Sequence, residues 1–201
     1  MPIENKSNSI FQIKITLTRT DKPIWRRILV PSNLNLERLH DAIQISMGWN
    51  FAHLFEFTVG DRRYGEPDPY AIAGEQVFHA KNLKLSSIFD RGIQKFSYLY
   101  DFGDHWEHEI LIEKQVESKD QRRYPVLVHG ERRCPPEDVG GIDGFEEFLN
   151  AIQDSNHEDH QHFLDWAGDD YDPNDIDLDR LNLGLEMMAN RLRSRPRKTT
   201  H

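Results

Sequence analysis

Residues 95–112, KFSYLYDFGDHWEHEILI, hold two alternating runs on either side of a short polar turn. Before the turn, aromatic side chains occupy every second position, and Trp106 and His108 begin the second run. Successive side chains of a strand point to opposite faces of a sheet, so a period of two predicts a strand on each side. The stretch therefore predicts an antiparallel hairpin that turns tightly at Gly103 and Asp104 and has aromatic inner faces.

The same period marks the N-terminal part of the chain. Residues 11–17 carry apolar side chains at the odd positions, and residues 24–31, IWRRILVP, are rich in strand formers. Only a short turn separates them, so they predict a second antiparallel hairpin. Within it, Arg26 and Arg27 are expected to lie on a solvated strand edge.

A helix is predicted after this hairpin. Asn35 can cap it, Gly48 can end it, and its apolar side chains recur at helical spacing. His40 borders the apolar stripe and is expected to be a hydrogen-bonded structural histidine.

Less regular segments follow. Residues 55–59 and 124–129 predict strands, residues 83–89 predict a short turn or helix, and residues 61–74, DRRYGEPDPYAIAG, predict a loop because they are rich in Pro and Gly.

Helical periodicity dominates the C-terminal third, with apolar faces near Phe148, Phe163 and Leu185. Strands followed by helices predict an α+β fold. We expect a mainly antiparallel, strongly twisted sheet with an N-terminal hairpin and helix, and a helical C-terminal third. Residues 9–190 are predicted to form a single domain, after a disordered segment 1–8 and before a basic flexible tail 191–201.

Composition narrows the classes of function. The 201 residues carry a formal net charge of −9, so nucleic acid could bind only through the basic tail. A single cysteine excludes an intrachain disulfide and fits a reducing compartment. No apolar run has the length of a signal peptide or a membrane span. We expect a cytoplasmic protein that does not contact a membrane.

Five blocks occur in an order similar to that of the plasmid pRiA4b ORF-3-like family: IWRRILVP, LERLHDAIQISMGW, HLFEF, YDFGDHWEHEI and GERRCPPEDVGGIDGFEEFL. The resemblance implies an α+β domain associated with plasmids or mobile elements, and it supplies no reaction. Some members are labelled as passenger or resolvase-type proteins of an insertion element. The early serines of this chain lack the arginines that a serine recombinase needs, which argues against that activity.

Strand parity divides the polar residues of the central hairpin. Asp104 and His108 share the inward parity, so a buried hydrogen bond between them is predicted. His105, Glu107 and Glu109 have the opposite parity. A metal site would need His40, His53 or Glu137 to join from elsewhere, because transition metals take three or four ligands. No metal or cofactor is expected.

Two further motifs contain residue types that are common in catalytic and metal sites. Cys134 follows Arg132 and Arg133, which could lower its pKa and make it a nucleophile, although a lone cysteine is commonly an inert buried residue. In residues 157–162, HEDHQH, the histidine spacing does not match H-E-x-x-H, so a solvated helix start is favoured over a zinc site.

The sequence thus favours a non-enzymatic binding or interaction module with an unknown protein or small-molecule partner. A metal- or cysteine-dependent hydrolase and a weak DNA-binding accessory protein remain alternatives. The candidate binding cluster comprises Asp101, Asp104, His105, Trp106, His108, Cys134, Glu137 and Asp138.

Overall fold

The structure is a computed structural model that describes residues 9–67, 76–118, 123–168 and 171–194. The strands are β1 Ser9–Leu17, β2 Ile24–Pro31, β3 Phe55–Val59, β4 Arg62–Gly65, β5 Val77–His79, β6 Lys95–Tyr100, β7 Trp106–Glu117 and β8 Val126–Glu131. The α-helices are α1 Leu36–Met47, α2 Leu85–Phe89, α3 Gly141–Gln153, α4 His160–Ala167 and α5 Leu178–Ser194.

All eight strands belong to one sheet, in the order β5-β4-β3-β6-β7-β1-β2-β8. Neighbouring strands are antiparallel except β4 and β5, which pair in parallel. Both predicted hairpins, β1–β2 and β6–β7, are present, and β1 pairs with β7 at the centre of the sheet. The fold is therefore a mixed α/β arrangement on a mostly antiparallel sheet.

The edge formed by β4 and β5 was not predicted. Residues 62–65 form β4 inside the segment expected to be a loop, and residues 68–74 of that segment lie outside the described part of the chain. Gly65 is required there, because a Cβ at this position would lie 2.6 Å from the main-chain oxygen of Phe55. The glycine that suggested a loop instead permits close pairing of two strands.

Helix α1 forms as its capping residues predict. The Asn35 side chain accepts a hydrogen bond from the Arg38 amide at 2.9 Å, and Gly48 ends the helix with φ 87°. His40 is buried and its Nδ1 lies 2.8 Å from the Tyr98 hydroxyl. The helix thus places a hydrogen-bonded histidine against strand β6.

Arg26 does not lie on a solvated edge, because β8 pairs with β2 on the side away from β1. Its side chain is 1% exposed and donates to the carbonyls of Trp25, Ser46 and Glu131 and to the Cys134 sulfur. Arg27 forms an ion pair with Glu113 at 2.7 Å. Arg26 therefore ties β2, the last turn of α1 and the end of β8 together.

Helix α5 continues to Ser194, four residues into the segment predicted to be a flexible tail. The predicted disordered segment 1–8 and residues 195–201 of the predicted tail lie outside the described residues. None of the helices in the described ranges is both long and apolar enough to cross a bilayer.

Candidate functional site

The turn between β6 and β7 spans residues 101–105 and is wider than the predicted two-residue turn. Asp101 and His105 adopt positive φ, at 57° and 59°. The Asp101 carboxylate accepts the Gly103 amide at 2.8 Å, and its carbonyl accepts the His105 amide at 2.7 Å. This reversal buries Asp101 and leaves Phe102 53% exposed, so the aromatic alternation of β6 ends at Tyr100.

The predicted hydrogen bond between Asp104 and His108 is wrong. His108 points inward as expected, but neither of its ring nitrogens has a hydrogen-bond partner among the described residues. Asp104 lies in the turn, where it accepts the Gly140 amide at 3.2 Å. Strand parity does not extend into a turn, which is why the pair does not form.

His108 and Trp106 belong to the core. Both are 0% exposed, and the indole of Trp49 meets the His108 ring edge-on at 5.4 Å between centroids. Burial lowers the pKa of His108 to about 4, although nearby carbonyls of Tyr98 and Trp106 oppose the shift. His108 is therefore neutral at physiological pH. Glu107 is exposed on the other side of the strand, as predicted, and His105 is exposed in the turn.

Residues 134–138, which we call the CPPED loop, fold against the turn end of the β6–β7 hairpin. The Trp49 indole donates to the Pro135 carbonyl at 2.9 Å. The backbone N–H of Asn50 donates to the Glu137 carboxylate at 3.0 Å. The Tyr100 hydroxyl donates to the same carboxylate. Glu137 thus joins three separate segments of the chain.

Tyr100 also holds the segment that follows α1. Its hydroxyl accepts the amides of Ala52 at 3.1 Å and His53 at 3.4 Å. Burial and then the Glu137 carboxylate raise the pKa of Tyr100, so the phenol stays protonated and can donate to Glu137. Tyr100 and Glu137 therefore position His53 beside the CPPED loop.

Three side chains meet where these segments join. His53 Nε2 lies 3.1 Å from Asp138 Oδ1 and 3.5 Å from Asp101 Oδ2. One donor atom from each residue lies within 4.8 Å of the others. We call His53, Asp101 and Asp138 the corner.

The geometry of the corner fits metal ligation. His53 Nε2 is a buried atom, and despite its two close carboxylates it makes no hydrogen bond of acceptable geometry within the described chain. Two ligands bound tetrahedrally at about 2.0 Å from Zn²⁺ lie about 3.3 Å apart, a value between the two measured distances. Asp101 is buried and Asp138 is exposed, so the corner opens to solvent on one side only.

The proposed neighbours of Cys134 are wrong. Arg132 donates to Asn174 at 2.6 Å, and the Arg133 guanidinium lies over the Tyr171 ring at 4.8 Å. Cys134 is instead buried against Arg26 and Met47, and burial raises its pKa although Arg26 opposes the shift. A buried thiol held in its protonated form is not an activated nucleophile.

His157, in the segment 157–162, belongs to a second group of side chains that could hold a metal ion. His157 Nε2 lies 3.2 Å from Glu147 Oε1, and Asp159 completes the group. His160 begins α4 and its ring nitrogen Nδ1 donates to the Ala151 carbonyl at 2.8 Å. The two histidines therefore do not converge, in agreement with the predicted helix start.

Of the predicted cluster, the structure brings only Asp101 and Asp138 into the corner, with Glu137 adjacent as a positioning residue. Asp104 lies in the turn, His105 is exposed, and the remaining three residues are buried elsewhere. The sequence indicates His53 only as a ligand that would have to join from elsewhere. Tyr100, Trp49 and Arg26 were missed, because their roles depend on contacts between distant segments.

Comparison with known proteins agrees with the sequence resemblance. The sequence profile of the family described as plasmid pRiA4b ORF-3-like protein matches residues 9–180. The chain is similar to the uncharacterized protein y4hQ of Sinorhizobium fredii, with 38% identity over 194 residues, 96% of this chain and 98% of that protein. It is also similar to the crystal structure of a protein of unknown function, MM3350, from Methanosarcina mazei Go1, with a TM-score of 0.78 and 35% identity over 86% of this chain and 97% of that chain. The predicted family is thus confirmed, and this chain belongs to the plasmid pRiA4b ORF-3-like family.

Proposed function

We propose that the protein is a non-enzymatic binding module that holds a divalent metal ion at the corner. The observation that carries the proposal is the convergence of His53, Asp101 and Asp138 from three separate segments at ligand-to-ligand distances. The carboxylates would neutralise the ion, and the imidazole favours a transition metal such as Zn²⁺ or Mn²⁺ over Ca²⁺.

The surroundings of the corner support a partner that completes the coordination. Three ligands leave at least one position free, and Asp138 opens that side to solvent. Three large apolar side chains within two positions of corner residues in the sequence are exposed: Phe51 at 45%, Leu54 at 58% and Phe102 at 53%. A protein or small molecule with one donor group and an apolar surface would fit both features.

We further propose that the protein acts in the cytoplasm in association with plasmids. The family description supports an association with plasmids, and the single buried cysteine is compatible with the cytoplasm. Weak DNA binding by residues 191–198 stays a secondary possibility, supported by the basic sequence there.

Calorimetric titration of chelator-treated protein with Zn²⁺ and Mn²⁺ tests the metal site. We expect one ion per chain, and loss of affinity by about 100-fold or more in His53→Ala and Asp101→Asn, since even changes outside the ligand set cost 10 to 100-fold. His105→Ala and His157→Ala are the matched controls, because the first is exposed on the same turn and the second belongs to the other histidine group. Loss of metal binding in His157→Ala, or absence of metal binding in the unaltered protein, would rule out the corner as the metal site.

A metal-dependent hydrolase is the second candidate. It is favoured by the solvent-facing side of the corner, where a metal-bound water could be activated. Metal-loaded protein should be assayed with phosphoester, carboxylic ester and peptide substrates. The binding-module proposal predicts no turnover, whereas turnover that disappears in Asp101→Asn would establish the hydrolase.

A further inference from the structure

A second cleft lies away from the corner, beside helix α3. It has a volume of about 720 Å³, within the range of about 300 to 1,000 Å³ typical of small-molecule sites. Its walls are the β1–β2 turn, one side of α3, and the segments around Arg132 and Asn174. A molecule of metabolite size would therefore fit between these elements.

One side of this cleft is apolar. Ile24 and Phe145 are 2% and 4% exposed and form part of the core, while Ile142 and Leu149 of α3 are partly buried beside them. Such a surface favours the apolar body of a ligand, because burial removes that body from water.

Arg132 provides a polar anchor in the same cleft. Its backbone has φ 65°, a region in which residues other than glycine are strained. Its Nη1 donates to Asn174 Oδ1 at 2.6 Å, which holds one end of the guanidinium. Its Nε is a buried atom that has no hydrogen-bond partner in the part of the chain that the structure describes.

A buried guanidinium N–H without an acceptor is costly, so a small turn of the Arg132 side chain toward the cleft would be stabilised by an acceptor bound there. The Nε side of a guanidinium can donate two parallel hydrogen bonds to one carboxylate or phosphate group. Arg132 therefore presents the kind of group that recognises a planar or tetrahedral anion.

The charges around the cleft agree with an anionic ligand. Lys22, Arg132 and Arg133 line it, against Asp21 and Glu146, which gives three positive and two negative groups and a local net charge of +1. The whole chain carries −9. The cleft is thus a positively charged site on an acidic protein, and such a site would concentrate anions near Arg132.

We propose that this cleft binds a small organic anion. Its carboxylate or phosphate group would pair with Arg132, and its apolar body would lie on Ile142 and Leu149. This site is independent of the corner, since none of the corner residues lines the cleft.

Titrations of isotope-labelled protein with benzoate, phenyl phosphate and inorganic phosphate, followed by NMR, test the proposal. We expect saturable shifts of α3 amides with benzoate or phenyl phosphate, and weaker binding of inorganic phosphate, which lacks an apolar body. Preference for benzoate would assign a carboxylate ligand, and preference for phenyl phosphate a phosphate monoester.

Arg132→Gln should weaken binding of the preferred probe about tenfold or more, because it removes charge-assisted hydrogen bonds. Lys22 is exposed, so Lys22→Gln should leave the fold intact. It should weaken binding about two- to fivefold. Arg123→Gln is the matched control, since Arg123 pairs with Glu186 away from the cleft. Absence of saturable binding at millimolar probe, or equal loss in Arg123→Gln, would overturn the proposal.

Discussion

Two buried histidines show how the same residue type can have different energetic effects. Tyr98 accepts a hydrogen bond from Gln44 at 3.1 Å, so its own hydroxyl proton can be donated to His40 Nδ1 at 2.8 Å. His40 also stacks on Phe55, with ring centroids 3.7 Å apart. His108 is equally buried, but its two nitrogens make no hydrogen bond to any described residue. His40 should therefore stabilise the fold through its polar atoms, whereas those of His108 should destabilise it.

Replacing each histidine by leucine should have opposite effects on stability. His108→Leu removes two unsatisfied nitrogens and should raise the free energy of unfolding by about 1 to 2 kcal/mol, while His40→Leu breaks a buried hydrogen bond and should lower it by a similar amount. Urea denaturation at neutral pH measures both. If His108→Leu lowered stability as much as His40→Leu, the His108 nitrogens would have to be satisfied in solution.

At the level of elements, the corner depends on contact between the β6–β7 turn and the start of α3. A Cβ on Gly141 would lie 2.8 Å from the Asp104 carbonyl oxygen, and Gly141 has φ 70°. The Gly140 amide also donates to Asp104. These contacts hold Asp138, which precedes them in the chain, against the turn that carries Asp101.

Gly141→Ala should therefore disturb the corner. We expect a loss of at least about 2 kcal/mol of stability, from positive φ together with the clash, and a weaker metal affinity. Gly92→Ala is the matched control, because Gly92 has φ 77° but no atom of the described residues lies within 4 Å of its added Cβ. It should cost only about 1 kcal/mol and leave metal binding unchanged. Equal metal affinity in the two variants would show that the turn and the CPPED loop are not coupled.

The predicted elements succeeded where the pattern was local. Strand β1, helix α1 and the β6–β7 hairpin follow from alternation, helical spacing and caps within short windows. Strands β4 and β5 were missed. The pairing of β4 with β3 depends on a close approach of Gly65 to the Phe55 backbone rather than on alternation. Arg26 was misplaced although it shares the buried parity of Ile24, because the acceptors that allow an arginine to be buried there come from α1, β8 and the CPPED loop.

For the whole molecule, the buried histidines determine how stability changes in mild acid. Burial lowers the pKa of His40 to about 3 and of His108 to about 4, from 6.5. Below pH 6.5 the unfolded chain therefore binds protons that the folded chain does not, so stability falls as pH falls toward 4. Well above pH 6.5 neither state is protonated, and this contribution is constant.

Urea denaturation between about pH 7.5 and 5 should reveal this loss, with a slope of up to about 1.4 kcal/mol per pH unit for each histidine. Glu113, whose pKa is lowered by its hydrogen bond to Arg27, should begin to contribute only at lower pH. His108→Leu should remove about half of the slope. An unchanged slope in that variant would show that His108 is not buried in its neutral form.

The sequence by itself determined the family, the mostly antiparallel sheet, the first hairpin and helix, and the inward direction of His108. These features depend on periodicity, capping and ordered motifs, which are properties of short segments. Only the tertiary structure decided that His53 joins Asp101 and Asp138, that Arg26 rather than Arg132 meets Cys134, and that Asp104 binds the Gly140 amide. Those contacts join segments far apart in the chain, and the packing that brings such segments together is not encoded in any local pattern.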